Sequence, residues 1–349
     1  MLVQQKEDVY LNFINSIKSD VTKRIYEYNL KLFMEFCGID KFEDLIGQQD
    51  KIITYLMSLR EKKLSFNSIS TRLNAIYHFY DMNDVSLNKK KIKMFKGENQ
   101  RKVVDRAYMH EDIKKILDVS DLRAKTIVLV MASSGLRIGA LPDLRLRNLE
   151  KIDSLYKITV YEGSNSQYFT FCSPECSSYI NAYLDFRTMH GENLNKDSFL
   201  IREQFDISDL EQIKYESKGM SINGIISLLT VILLKSGVRT IKHKGRQEVA
   251  RAHGFRKTFT TQLINSKVNP EIREMLLGHK IGLASCYYRP TEQEMLNEYL
   301  KAVPLLTISN EERLKFKLEQ TITIERTQLE QLRADFDKFK KQVMSKQRK

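Results

Sequence analysis
Residues 247–290 read QEVARAHGFRKTFTTQLINSKVNPEIREMLLGHKIGLASCYYRP. Apolar spacing predicts a helix over 247–266, and Asn269 followed by Pro270 fits the cap and first position of a second helix. His253 and Arg256 stand three apart on the first helical pattern, so they share a face. His279 and the adjacent Tyr287 and Tyr288 follow the second helix. Upstream, SSGLRIGAL at 133–141 places Arg137 just after a Ser-Ser-Gly turn signal, projecting from the start of the next helix. A lone Arg is most often a surface or salt-bridge residue, and a lone His in a helix most often a satisfied structural group. The order Arg, His, Arg, His, Tyr is what carries information. No metal-ligand spacing, P-loop or nucleotide fingerprint accompanies it, so neither metal nor cofactor is expected.

Around this stretch the chain is mixed. LYKITVY at 155–161 and QYFTFC at 167–172 are β-rich runs joined by the turn GSNS at 163–166, a hairpin pattern. Helical patterns cover 111–117 and 125–133, resume after Pro174 and after Ser221 as a cap, and return at Thr291, whose spacing to Glu294 suits a capping box. Residues 222–234 are the longest apolar stretch, interrupted by Asn223 and Ser227 and too short to span a bilayer, and read as a buried helix. Residues 1–85 read as four helices, around 9–17, 25–36, 52–59 and 69–80. In the second of these Ile25, Tyr28, Leu32 and Phe36 recur at helical spacing before Gly38, and in the last Ile69, Leu73, Ile76 and Tyr80 do. The basic run at 89–102 lacks apolar periodicity and reads as a linker between domains. From about Asn310, Ile322, Leu329, Phe336 and Val343 fall seven apart, with Leu318, Leu332 and Phe339 on the other seam position and Glu325 and Lys346 breaking it. That is a short, imperfect heptad helix, suited either to a partner or to docking on its own domain.

Composition narrows the partner. The 349 residues carry 57 Lys plus Arg against 44 Asp plus Glu, a formal charge of +13. With 42% hydrophobic and 29% charged residues, the chain is neither collagenous, mucin-like nor disordered in bulk. The charge is concentrated: residues 86–106 net +6, 235–257 net +7 and 337–349 net +5, leaving the remainder slightly acidic. Patches of this kind favour a polyanion, nucleic acid being the commonest, over a solubilising coat. Lys89, Lys90, Lys91 and Lys93 in the first block and Lys242, Lys244, Arg246 and Lys257 in the second are the candidate phosphate contacts. Four cysteines, Cys37, Cys172, Cys176 and Cys286, are too few for a disulfide framework and point to a reducing compartment. The start of the sequence has no apolar signal core, so a cytoplasmic, nucleoid-associated protein is expected.

In their order, Arg137, the H-x-x-R pair His253 and Arg256, the L-G-H of His279, and Tyr288 nine residues beyond it resemble the tyrosine recombinases, also called the phage-integrase family. The wording of RAHGFRKTF and GHKIGLASCYYRPTE is similar to archaeal integrases in particular. The resemblance covers about residues 106–304; the helical unit before it matches the family's SAM-like core-binding domain in position and size. It implies an α+β fold, mainly α with a small antiparallel sheet. Residues 1–88 would form a helical DNA-binding domain, 89–106 a basic linker, 107–305 the catalytic domain and 306–349 a C-terminal helix. Such a protein would clamp double-stranded DNA between its two domains and act as a homotetramer, with no membrane association, integrating or excising a mobile element, or resolving chromosome dimers.

The residue types suit that chemistry. Cleaving a phosphodiester without metal needs a nucleophile, neutralisation of the non-bridging oxygens and a proton for the departing 5′ oxygen. Arg137 and Arg256 can grip those oxygens bidentately. His253 and His279 can donate hydrogen bonds or move protons near neutral pH. Tyr288 would attack phosphorus, helped by nearby cations, and form a 3′-phosphotyrosyl link; Tyr287 reads as packing. Three positions depart from the family pattern. The hairpin turn lacks the family's general-acid lysine, and Lys157 on the preceding strand is only a candidate substitute. Ala140 replaces a structural glutamate, and Lys257 stands where histidine is more usual. The missing lysine keeps open a catalytically weak or silent DNA-binding regulator with the same fold, and a nicking and religating activity of topoisomerase type shares the same residues.

Overall fold
The computed structural model describes residues 8–98, 105–215, 217–240, 247–280, 282 and 287–346, with backbone alone for 320, 323, 324, 327 and 337–346. The chain divides into two compact units, Met1–Lys102 and Val103–Lys349. Lys242, Lys244, Arg246 and Cys286 lie outside the described residues.

The first unit is helical: α1 (Val9–Asn15), α2 (Asp20–Cys37), α3 (Lys51–Glu61), α4 (Phe66–Met82) and α5 (Lys89–Met94). Short polar side chains start them, Asp8 accepting from the Tyr10 and Leu11 amides, Ser19 from Thr22 and Ser65 from Ser68. Gly38, at φ +71°, ends α2 in the left-handed conformation. In α4 the buried stripe is the expected one, Ile69, Leu73, Ile76 and Tyr80. In α2 it is not: the helix buries Leu30, Phe33, Met34 and Cys37, and leaves Ile25, Tyr28 and Phe36 exposed. Both stripes have helical spacing, and packing of α2 against α4 and α3 decides between them. The run expected to be a linker begins as α5, capped by Asn88 and anchored through Ile92 in the apolar cluster of this unit. Lys90, Lys91 and Lys93 stay exposed on it, while Lys89 pairs with Asp81 at 2.7 Å.

The second unit contains α6 (His110–Asp118), α7 (Leu122–Ser134), strands β1 (Leu149–Ile152), β2 (Leu155–Val160) and β3 (Tyr168–Cys172), then α8 (Pro174–Met189), α9 (Leu210–Tyr215), α10 (Ile222–Lys235), α11 (His253–Asn265), α12 (Pro270–Leu276), α13 (Glu292–Leu306) and α14 (Asn310–Lys346). The sheet is antiparallel in the order β1-β2-β3, with Leu149 opposite Ile158 and Val160 opposite Tyr168. α7 is the hub. Its run TIVLVMASS is buried on every side, against α8, α11 and β3. Ala140 is buried in the same apolar cluster, where a carboxylate would have to be desolvated. Cys172 and Cys176 are free, buried thiols. The 222–235 stretch is helical but buries only one face, with Val231 and Leu234 exposed.

The tail is a single helix. Phe316 packs on the apolar cluster built by α12 and α13, but Leu318, Ile322, Leu329, Leu332 and Phe336 are exposed, so among the described residues the heptad seam does not dock on its own unit. No helix among the described residues is long and apolar enough to cross a membrane.

A buried ionic triad ties the end of α8 to the segment that follows it. Arg187 and Arg202 both bond Glu192, at 2.6 and 2.7 Å, and Ser217 adds a third donor. Burial pushes the Glu192 carboxyl up, but these donors outweigh it and hold its pKa down to about 2. A depressed carboxyl stabilises the fold above its unfolded pKa of about 4.3 and loses that contribution as pH falls towards the folded value. Glu192→Gln should therefore lower stability at pH 7 by about 3 kcal/mol, because it leaves two buried guanidiniums without a counter-charge. It should also flatten the wild-type loss of stability between about pH 4.3 and 2. Urea unfolding across that range checks both.

Candidate active site
α11 begins at His253, six residues later than the sequence pattern suggested; residues 247–252 are irregular, and Val249 bridges Arg106 instead. His253 therefore sits exposed at the first helical position, while Arg256, one turn on, points inward and is 6% exposed. Its guanidinium donates to the Gly135 carbonyl at 2.6 Å and to the Leu277 carbonyl, which are the C-terminal ends of α7 and α12. Helix C-termini carry unsatisfied carbonyls and partial negative charge, so a buried cation is at home there. Gly135 is required for this arrangement: its φ is +62°, and a Cβ would fall 2.1 Å from the Phe259 ring.

Arg256 Nη2 also lies 2.9 Å from His279 Nε2, and His279 Nδ1 lies 2.6 Å from Glu274. Among the described residues no carboxylate pairs with Arg256. Burial first, and the like charge of Arg137 second, push the Arg256 pKa down. Arg137 is exposed, at the entry to a 3-10 turn over Ile138–Asp143 rather than an α-helix. Burial, then Lys257, then Arg256 push the His253 pKa down, with Asp105 opposing. His253, its pKa held down, therefore stands near two guanidiniums that have no carboxylate partner among the described residues. A cleft of about 430 Å³ at His253 and Arg256 is lined also by Asp105, Lys257, Glu274 and His279. It is suited to a tetrahedral oxyanion.

Arg137, His253, Arg256 and His279 thus come together, whereas Tyr288 does not join them. The charged neighbours of Tyr288 are Glu294, Glu298 and Glu271, which add to burial in pushing its hydroxyl pKa up, where cations were expected. Tyr287 is 91% exposed and is not a packing residue. Lys257 is engaged by Asp105 at 2.9 Å. Lys157 is held by Glu150 at 2.8 Å and Glu292 at 2.6 Å, and lies over the Phe169 ring. Burial favours the neutral amine, but the two carboxylates prevail and push its pKa up. It lines a separate hollow with Tyr168 and Met275.

Sequence reasoning missed three residues. Tyr161 and Tyr168 flank the hairpin turn, with rings 6.3 Å apart. The Tyr161 hydroxyl would lie 3.9 Å from a Cβ on Gly139, and the Tyr168 ring covers Gly278, the middle of the L-G-H motif. Burial pushes the Tyr168 pKa up, with Arg256 and Arg137 opposing. The third is Glu274. Its only sequence signal was an acid five positions before His279.

Residues 106–294 match the family described as Phage integrase family. The chain is 24% identical over 314 residues to tyrosine recombinase XerC of Leptospira interrogans, covering 84% of this chain and 92% of that one. It is also 24% identical over 335 residues to transposase A from transposon Tn554 of Staphylococcus aureus, covering 82% and 87%. Among solved structures, the Tn1549 transposon integrase in complex with transposon right end DNA superposes with a TM-score of 0.57 at 14% identity, covering 83% of this chain and 98% of that one. A lambda integrase dimer bound to a COC′ core site gives 0.53 at 14%, covering 81% and 94%. At that identity the structures share the fold. The family match takes in more than half of the chain and every residue from Arg137 to Tyr288, so this chain belongs to the phage integrase family, the tyrosine-type site-specific recombinases.

Proposed function
We propose that the chain cuts and rejoins duplex DNA through a 3′-phosphotyrosyl bond on Tyr288, and that its work is integrating or excising a mobile element. The observation that carries the chemistry is Arg256, buried and without a carboxylate, beside Arg137 and His279. The scissile phosphate supplies the missing anion. Arg137 and Arg256 bind its non-bridging oxygens and stabilise the pentacoordinate transition state. The Tyr288 oxygen bonds to phosphorus as the P–O5′ bond breaks, and a proton passes to the 5′ oxygen. In the reverse step the 5′ hydroxyl of a new strand attacks the phosphotyrosine and Tyr288 recovers its proton. The bond count is unchanged, so no nucleotide hydrolysis is needed. His253, whose pKa is pushed down, would take the tyrosine proton once Tyr288 reaches the cleft. Tyr288 must first leave its carboxylate neighbours, whether for the cleft of its own chain or of another protomer.

Mobile-element work is supported by the relatives whose names are transposase and transposon integrase, and four protomers on two duplexes is the assembly such exchange requires. The exposed seam of α14 is a surface for protomer contacts. Lys90, Lys91 and Lys93 on α5 are exposed and suited to backbone phosphates, so DNA binding should weaken steeply with salt. A regulator that binds without cutting is the competing reading, favoured by the tethering of Lys157 and by the acids around Tyr288.

A nicked suicide substrate separates the readings. Wild type should form a covalent adduct on denaturing gels, and Tyr288→Phe should form none while keeping its DNA affinity. A wild-type protein with no adduct is the regulator, and an adduct without strand exchange is a relaxing enzyme. The acid limb of the cleavage rate should fall below about pH 6.5, the ordinary histidine value, and should flatten in His253→Ala. A limb left unchanged by that substitution removes His253 from the proton transfer. Truncation after Glu319 keeps Phe316 in place, and should leave cleavage intact while reducing synapsis of two sites.

A further inference from the structure
Glu274 is an acid of the cleft with both carboxylate oxygens engaged. Oε1 accepts from Arg273, at 3.0 Å, and Oε2 lies 2.6 Å from His279 Nδ1. On the other side of the same ring, Nε2 lies 2.9 Å from Arg256 Nη2. A guanidinium has only donors, so in this contact a neutral His279 must present the Nε2 lone pair. The ring proton is then on Nδ1, and a carboxylate is the partner that accepts it. Glu274, His279 and Arg256 form one directional chain: carboxylate, N–H donor, ring lone pair, guanidinium N–H.

We propose, resting on the reading of the cleft given above, that Glu274 is a positioning residue that fixes the His279 ring in its Nδ1–H tautomer and, through it, holds the Arg256 guanidinium in the plane that meets the scissile phosphate. Without Glu274 the imidazole is free to turn over or to carry its proton on Nε2. An Nε2–H would face Arg256 donor to donor, and the guanidinium would lose its third fixed contact. The two carbonyl bonds, to Gly135 and Leu277, would still bury Arg256, so the fold survives while its aim does not. The pairing with Arg273 alone is a neighbouring-residue ion pair on α12, and a merely structural Glu274 would act only through it.

The test has two arms on the full-length protein. In the first, long-range ¹H–¹⁵N spectra of histidine-labelled protein, with His279 assigned by His279→Gln, report which ring nitrogen holds the proton at pH 8. Wild type should show Nδ1–H, and Glu274→Ala should shift to Nε2–H. An Nε2–H wild type, or a tautomer unmoved by Glu274→Ala, overturns the proposal. In the second, Glu274→Ala should slow adduct formation on the suicide substrate by about tenfold or more with DNA affinity within about twofold. Glu274→Gln, whose amide oxygen can still accept from Nδ1, should recover most of the rate. Equal loss in Ala and Gln variants, in step with their melting temperatures, makes Glu274 structural. Failure of the cleft reading is separate: a Tyr288→Phe protein that still traps DNA would sink that reading, while the spectra would still decide Glu274.

Discussion
The tie on which the catalytic unit depends is Arg256 to the ends of α7 and α12. α7 finishes with carbonyls that have no helical partner, and three consecutive ones are taken by three different elements. The Ser133 carbonyl accepts from the Tyr299 hydroxyl of α13 at 2.8 Å, Ser134 from Thr170 of β3 at 3.1 Å, and Gly135 from Arg256 of α11 at 2.6 Å. An ordinary need of a buried helix end is thereby turned into a junction where α13, the sheet and α11 all register against one hub. Arg256 does double work there. Its carbonyl contacts satisfy backbone that would otherwise be desolvated and unpaired, and they also orient a guanidinium that a carboxylate could have held only by neutralising it.

That distinction governs the electrostatics of the site. A buried arginine balanced by an acid, as Arg187 is by Glu192, is finished: its charge is spent inside the fold. Arg256 is held by dipoles and an imidazole, so its charge remains available to an incoming anion. Asp105 and Glu274 line the cleft but bond other partners, and further acids of the unit lie around Lys157 and Tyr288. Glu150 and Glu292 hold Lys157, Asp105 holds Lys257, and Glu271, Glu294 and Glu298 surround Tyr288. Negative charge around the Tyr288 hydroxyl adds to burial in disfavouring its phenolate where it rests.

How much of this could be read in the sequence follows from the range of each interaction. Caps and turns are local, and Ser221, the Thr291 to Glu294 box, Asn269-Pro270 and the GSNS hairpin all stand where the chain suggested. The order of Arg137, His253, Arg256 and His279 was legible because each sits in its own short signal, and the fold brings the four together. What failed was whatever depends on a partner element. α2 has two apolar stripes of equal period, and only the helices around it choose which is buried. α5 was hidden because a lysine-rich run shows a single apolar anchor, Ile92. Glu274 and Tyr168 acquire meaning only once α12 and β3 meet α11, and Lys157 looked available because Glu292 is remote in sequence.

The two hairpin tyrosines complete the argument about the absent lysine. The exposed turn at 162–167 carries no cation to deliver, yet both its roots are anchored at the site. Tyr161 approaches the backbone that carries Arg137, at Gly139, and Tyr168 covers Gly278 beside His279 with Arg256 close enough to oppose the rise in its pKa. Gly278 has φ +64°, and a Cβ there would meet the Tyr168 ring at 2.5 Å, so the close approach is written into both residues. The tip stands in open solvent, while its roots lie against the turns that carry Arg137 and His279. The hairpin of this chain therefore meets the site through two tyrosine rings at its roots rather than through a cation at its tip.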